Sequence, residues 1–221
     1  MEITLDKKGD VALIKMDDGK RNAITLQAVK DLNDALDKVE IESKALVIAG
    51  REGTFCSGFD LAVMMGDDND KRMELSRGGG RLTERLYAFP MPVVAACTGH
   101  GFTIGAIWMA ACDRRIGEQG DYLLGLNETK LGMPLPDFAL VPLKERIKPE
   151  YLFPAILEAK LFGPEEAVTA GLLDEVVAPG AAINRACELA AEWAQLPGHA
   201  YAANKLGLRK QSLAIIRAEV L

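Results

Sequence analysis

The chain has 221 residues, 49% of them hydrophobic and 26% charged, enough for one domain with a sizeable core and a helical appendage. A net charge of -6 argues against a general nucleic-acid or membrane-surface binder, while leaving room for an anionic ligand held by a local basic patch. No apolar run approaches the ~20 residues of a membrane span, and the scattered Cys56, Cys97, Cys112 and Cys187 read as reduced thiols of a cytoplasmic protein, not as a metal site.

In chain order, alternating apolar and polar residues around Lys8-Gly9-Asp10 predict a β-hairpin over 3–17. Helical spacing predicts a helix over 24–40, with Thr25 as its N-cap. The continuous apolar run 44–50 suits a strand buried on both faces of a parallel sheet. Residues 66–73 are polar and predict a charged loop. A helix through 74–89 should follow, weakened by Gly78, Gly79 and Gly80. A second buried strand is expected over 90–99 and a helix over 105–113. Next come a strand near 122–126 and a helix from about Pro136 through Leu143. From Pro149 the chain is rich in Ala and Leu. It reads as helices broken at Gly163-Pro164, Gly171, Pro179-Gly180 and Pro197-Gly198. Strand–helix alternation implies right-handed crossovers and an α/β fold. There is no internal repeat and no linker between independent domains.

Three loops could carry chemistry. In TFCSGFDLAVM (54–64), Gly58 lets the chain turn sharply beside Ser57 after a buried strand. In TGHGFTIGAIWMAACD (98–113), the N–H groups near Ile104 and Gly105 lie at a helix start and lack intrahelical partners. Two such N–H groups converging on one point would make an oxyanion hole. Glu128, in GLNETKLGMP (125–134), would supply a base beside it. Each feature also has a plain reading. Strand–glycine–helix turns are common without catalysis, and a lone Glu in a loop is ordinarily solvated. RGGGR (77–81) lacks the Gly-Lys-Ser/Thr ending of a phosphate loop and reads as a flexible helix. His100 reads as packed or hydrogen-bonded, Trp108 and Met109 as helix core, and residues 20–22 as an exposed basic turn that could meet an anion.

Taken together, KRNAI (20–24), FCSGFDL (55–61), PVVAACTGHGFTIGAIWMAACD (92–113), GLNETKLGMP and GPEEAVTAGLLDEVV (163–177) resemble the crotonase, or enoyl-CoA hydratase/isomerase, superfamily in order and spacing. The resemblance covers residues 1 to about 205. It implies an α/β crotonase-type spiral of ββα turns over 1–190, with a C-terminal helical segment over 191–221 that is shorter than usual. It implies a homotrimer or dimer of trimers. The implied substrate is an acyl-CoA thioester, with no cofactor beyond that coenzyme A and no metal. The family's two backbone donors to the thioester oxygen map to Ser57 and Ile104, with Gly58, Phe59, Asp60 and Gly105 around the substrate. Ile104, where glycine is frequent, could narrow the pocket.

Hydratases of this family use two carboxylates. The first position falls at Ile107 and the second at Glu128. GLNET is similar to the third-loop motif of the Δ3,Δ2-enoyl-CoA isomerases, whose base is this glutamate. By that similarity Asn127 would contact the substrate or position the base. Leu126, Leu131, Met133 and Leu135 would keep the carboxylate dry and raise its pKa. The expected reaction converts a 3-enoyl-CoA to the 2-trans-enoyl-CoA through a dienolate, as in β-oxidation of fatty acids. The alternatives are a hydratase recruiting a distant acid, a thioester hydrolase, or a non-catalytic acyl-CoA-binding relative. Lys20, Arg21 and Lys205 are the candidate partners of the CoA phosphates.

Overall fold

The alternating hairpin forms as expected in the computed structural model, which describes residues 1–221. Strand β1 (Glu2–Lys8) pairs antiparallel with β2 (Val11–Asp17). A short β3 (Ala23–Ile24) leads into α1 (Leu26–Glu42), whose N-cap Thr25 accepts the Ala28 N–H at 3.1 Å. The chain then makes three ββα turns. The first is β4 (Ala45–Ala49), β5 (Gly53–Cys56) and α3 (Asn69–Ala88), with β6 (Gly58–Phe59) and the short α2 (Leu61–Met64) between. The second is β7 (Val93–Cys97), β8 (Gly99–Phe102) and α4 (Ile104–Ala111). The third is β9 (Arg114–Glu118), β10 (Leu124–Gly125), a 3-10 turn at Thr129–Leu131, and α5 (Asp137–Arg146). After it come α6 (Pro149–Leu152), a π-turn at Phe153–Leu157, β11 (Leu161–Phe162), α7 (Pro164–Ala170) and β12 (Glu175–Val177). The helices α8 (Ala182–Trp193), α9 (Gly198–Leu208) and α10 (Lys210–Val220) end the chain.

The first strand of each turn enters a six-stranded sheet of order β1-β2-β4-β7-β9-β12, parallel apart from its β1 edge. The second strands stack in a smaller sheet, β11-β10-β8-β5. β3 and β6 form a parallel pair of their own.

The apolar runs at 45–49 and 93–97 are wholly buried because both faces of the large sheet are covered. Successive side chains alternate between faces. Leu46, Ile48, Val93, Ala95 and Cys97 join the core under α1, α3 and α4. Val47, Ala49, Val94 and Ala96 meet Ala186, Leu189 and Ala190 of α8.

Three expectations change. The charged loop at 66–73 is shorter, because Asp68 caps α3 by accepting the Lys71 N–H at 3.0 Å, and the helix starts at Asn69. The glycines of α3 are sites of close approach. A Cβ on Gly79 would stand 2.5 Å from the Phe59 ring, and one on Gly80 would stand 2.7 Å from the Phe138 ring. The segments at 53–56, 58–59 and 99–102 are short strands, not loops, and β9, β11 and β12 were not foreseen. Their local sequences are glycine-rich or charged. The strand β9 carries Arg115, only 3% exposed, which reaches Asp174 at 2.7 Å.

Candidate active site

Two glycines let the first loop lie directly on the start of α4. A Cβ on Gly105 would stand 2.7 Å from the Cys56 Cβ and carbonyl oxygen. Gly58 has φ +110, and a Cβ there would stand 2.3 Å from Thr103 Oγ1. The third loop is tied to the same point, since the Thr103 N–H donates to Gly125 O at 3.0 Å. Three loops that follow buried strands thus meet at one place, as the stacking of β5, β8 and β10 requires.

Of the two N–H groups singled out from the sequence, one is without an acceptor and one is not. Ile104 is the first residue of α4, so its N–H has no intrahelical acceptor, and the first N–H to close the helix is that of Ile107, onto Thr103 O at 3.0 Å. Ser57 is a correction. Its N–H donates to Arg21 O at 3.0 Å and is not free for a ligand. The Asp60 N–H donates to Ile24 O at 2.9 Å. Alternation along an extended strand therefore turns the intervening Phe59 N–H away from β3, and β6 is in contact with α4. The available pair is Phe59 and Ile104, with Ser57 kept as a wall. The Ile104 side chain does not narrow the pocket. It is buried, with its Cδ1 3.4 Å from where a Gly79 Cβ would be.

The cavity beside these donors measures about 230 Å³ and is lined from all three loops, by Ser57, Gly58, Phe59, Thr103, Ile107, Asn127 and Glu128 among others. Glu128 is its one ionisable group. The Glu128 carbonyl accepts the N–H groups of Leu131 and Met133 at 3.0 and 2.9 Å, which holds the turn rigid. The residue is 8% exposed, and its Oε2 has no hydrogen-bond partner. Burial pushes the carboxyl above its ordinary pKa, against weaker opposing bonds from the Glu128 and Asn127 backbone. Leu131, Met133 and Leu135 line the cavity as expected, whereas Leu126 belongs to the core. Asn127 Oδ1 and Thr103 Oγ1 are likewise buried without partners.

Sequence reasoning passed over Thr103. Its φ of +51 and ψ of -119 are rare for any side chain and more so for a β-branched one. Such strain costs about 1–3 kcal/mol and persists where surrounding structure over-determines it. The only sequence signal was its place directly before the donor Ile104.

A second, outer cavity of about 900 Å³ shares Ser57, Phe59 and Leu61 with the inner one and is also lined by Asp18, Lys20, Arg21, Asp60 and His100. Lys20 and Arg21 are exposed at its wall. Asn22 holds their turn, although its type gave no hint of the role. It is fully buried, donates to Met16 O at 2.9 Å and Phe55 O at 3.1 Å, and accepts the Asp18 N–H at 3.0 Å. Asp60 caps α2 through the Ala62 N–H. His100 Nδ1 accepts the Leu123 N–H at 3.1 Å, a packing role as read from sequence. Lys205 is a correction. It is 6% exposed, and its ammonium donates to Asp113 at 2.7 Å inside the core, so it cannot reach a phosphate. The cysteines are all free. Burial pushes the thiols of Cys56, Cys97 and Cys112 up to about 12, so none is poised as a thiolate. No helix is long and apolar enough to cross a membrane.

A family profile described as enoyl-CoA hydratase/isomerase matches residues 6–217. Human mitochondrial enoyl-CoA delta isomerase 1 is 29% identical over 209 residues, which are 93% of this chain and 69% of that protein. A probable enoyl-CoA hydratase of Mycobacterium tuberculosis superposes with a TM-score of 0.95 at 37% identity, over 99% of this chain and 92% of the other. The human mitochondrial delta3-delta2-enoyl-CoA isomerase superposes with a TM-score of 0.94 at 26% identity, over 99% of this chain and 87% of the other. Hydratase and isomerase names both occur among the relatives.

Proposed function

The chain belongs to the enoyl-CoA hydratase/isomerase family and has the crotonase fold, and we propose that within this family it isomerises 3-enoyl-CoA to 2-trans-enoyl-CoA. The observation that carries the reading is the single carboxylate. Glu128 is the one ionisable group of the inner cavity, and Ile107 occupies the wall where a second acid would be needed. Hydration needs a water activated and a proton delivered to carbon, and one carboxylate suits the transfer of one proton along the chain better.

In this mechanism the thioester oxygen accepts hydrogen bonds from the Phe59 and Ile104 N–H groups. Ionised Glu128 takes a proton from C2. The electron pair moves into the C2–C1 bond, and the negative charge goes to the thioester oxygen. Each preorganised donor is worth about 3 kcal/mol to that dienolate. Protonated Glu128 then returns the proton at C4, and the double bond settles between C2 and C3. The Asn127 carboxamide lies beside the base in sequence and in the cavity wall, placed to contact the substrate or hold the carboxylate. The coenzyme A portion lies in the outer cavity, with Lys20 and Arg21 toward its phosphates. The chain works in this reading as a homotrimer or dimer of trimers, which the molar mass from light scattering tests.

The deciding measurement is turnover of cis-3-octenoyl-CoA, followed by the absorbance of the conjugated product. Product that stops at the 2-enoyl thioester supports the isomerase. Accumulation of 3-hydroxyacyl-CoA from a 2-enoyl substrate overturns it in favour of a hydratase.

A further inference from the structure

Thr103 has the form of an N-cap without the function of one. It precedes α4, yet its hydroxyl makes no bond to any N–H of the helix, where a threonine cap ordinarily accepts one. Its backbone lies where glycine would be at ease, so the side chain is retained against a local preference. The hydroxyl is buried and unpartnered, although buried hydroxyls nearly always have a partner. Thr103 lines the inner cavity, and its Oγ1 abuts Gly58. Gly58 and Thr103 are the residues directly before Phe59 and Ile104, so the contact of the hydroxyl with Gly58 joins the two segments that carry the N–H groups.

We propose that the Thr103 hydroxyl is a third hydrogen-bond donor to the thioester oxygen and thus a further catalytic residue. This rests on the reading of the cavity as an acyl-CoA site. The missing partner of Oγ1 is then the ligand's oxygen. The strained backbone has a use, because an ordinary cap would turn the hydroxyl onto the helix and away from the substrate. A side-chain donor adds to the two backbone donors where negative charge develops, and its effect grows from ground state to dienolate.

The test compares Thr103→Val, Thr103→Ser and Thr103→Gly with the parent enzyme. Valine keeps the shape and removes the hydroxyl, serine restores it, and glycine removes both hydroxyl and strain. Acetoacetyl-CoA is the binding probe, since the ultraviolet band of its bound enolate reports stabilisation of charge on oxygen independently of turnover. The expected result is an enolate fraction and a kcat about tenfold lower in the valine and glycine variants, the size of one neutral hydrogen bond. KM should change less than twofold. Serine should return both readouts to near the parent, and glycine should melt higher than the parent while remaining slow. If valine matches the parent in both readouts, or serine and valine fall together in proportion to lost stability, the hydroxyl has only a packing role and the proposal fails while the site stands. If the parent itself neither binds acetoacetyl-CoA nor shows the band, the acyl-CoA reading fails and takes the proposal with it.

Discussion

Glu128 shows how one residue's environment sets its behaviour. Its carboxyl belongs to a cavity also lined by Leu131, Met133 and Leu135, and burial raises its pKa. In the proposed role of base it must be ionised, so kcat/KM should fall on the acid side as pH drops through this raised value. The acid limb should lie above the ordinary carboxylate range. Replacement by glutamine should lower turnover about a thousandfold, the range of general-base catalysis, and leave acyl-CoA binding largely intact. Stability runs the other way. A carboxyl with a raised folded pKa contributes stability that is full below the unfolded value and is lost as pH rises through the folded one. Glu128→Gln should therefore match or exceed the parent's stability at pH 7, by up to about 1 kcal/mol. The gap should close as pH is lowered below the raised pKa, which thermal melts across pH would show. At the outer cavity, exchanging both Lys20 and Arg21 for glutamate should raise KM for acyl-CoA several-fold. That effect should shrink as salt is added, because both groups are exposed.

At the scale of elements, α3 and the short strand β6 depend on each other. Gly79 of α3 leaves room for the Phe59 ring and the Ile104 side chain, and these residues carry the two free N–H groups. Gly79→Ala would place a methyl group 2.5 Å from Phe59. Overpacking of this kind costs typically 1–3 kcal/mol. It should lower both the denaturation midpoint and kcat, because the displaced ring belongs to a residue whose backbone carries one of the two N–H groups. Asn22 has a comparable role at the other end of that loop. Asn22→Ala would strip two buried carbonyls of a donor, at about 1–3 kcal/mol, a loss readable by urea titration. Neither role was visible beforehand. A glycine triplet has the same composition whether it loosens a helix or admits a neighbour. What distinguishes the two is a ring from residue 59, twenty positions away in the chain.

At the scale of the whole molecule, the C-terminal helices close the fold through polar clamps. Asp113 accepts Lys205 at 2.7 Å and Arg209 at 3.0 Å, with its own side chain only 9% exposed. Arg81 donates to Val220 O at 3.0 Å, and Glu219 accepts the Phe138 N–H at 2.9 Å. Phe138 is itself a wall of the inner cavity, so α10 is braced against the site from behind. Removing one member of a buried ion pair costs about 3–5 kcal/mol, because the partner charges stay buried. Asp113→Ala should lose that much stability, and hydrogen exchange should show the first loss of protection in α9 and α10.

The sequence alone determined the elements whose signal is local. The hairpin follows from alternation about Gly9, α1 from helical spacing behind Thr25, and β4 and β7 from unbroken apolar runs. It also singled out Glu128 and Ile104, because a lone acid among apolar residues and the start of a helix are local facts. Tertiary structure decided the rest, since hydrogen bonds and burial are shared between distant residues. Strands β5, β6 and β8 exist only through pairing with distant segments, β5 with β8, β8 also with β10, and β6 with β3. The Ser57 N–H is taken by Arg21 and that of Phe59 turned free by a strand pairing thirty-five residues apart in the chain. Lys205, a plausible surface cation by type, is drawn inside because Asp113 lies buried opposite it. The unpartnered hydroxyl of Thr103 became visible only once Gly58 had been placed against it.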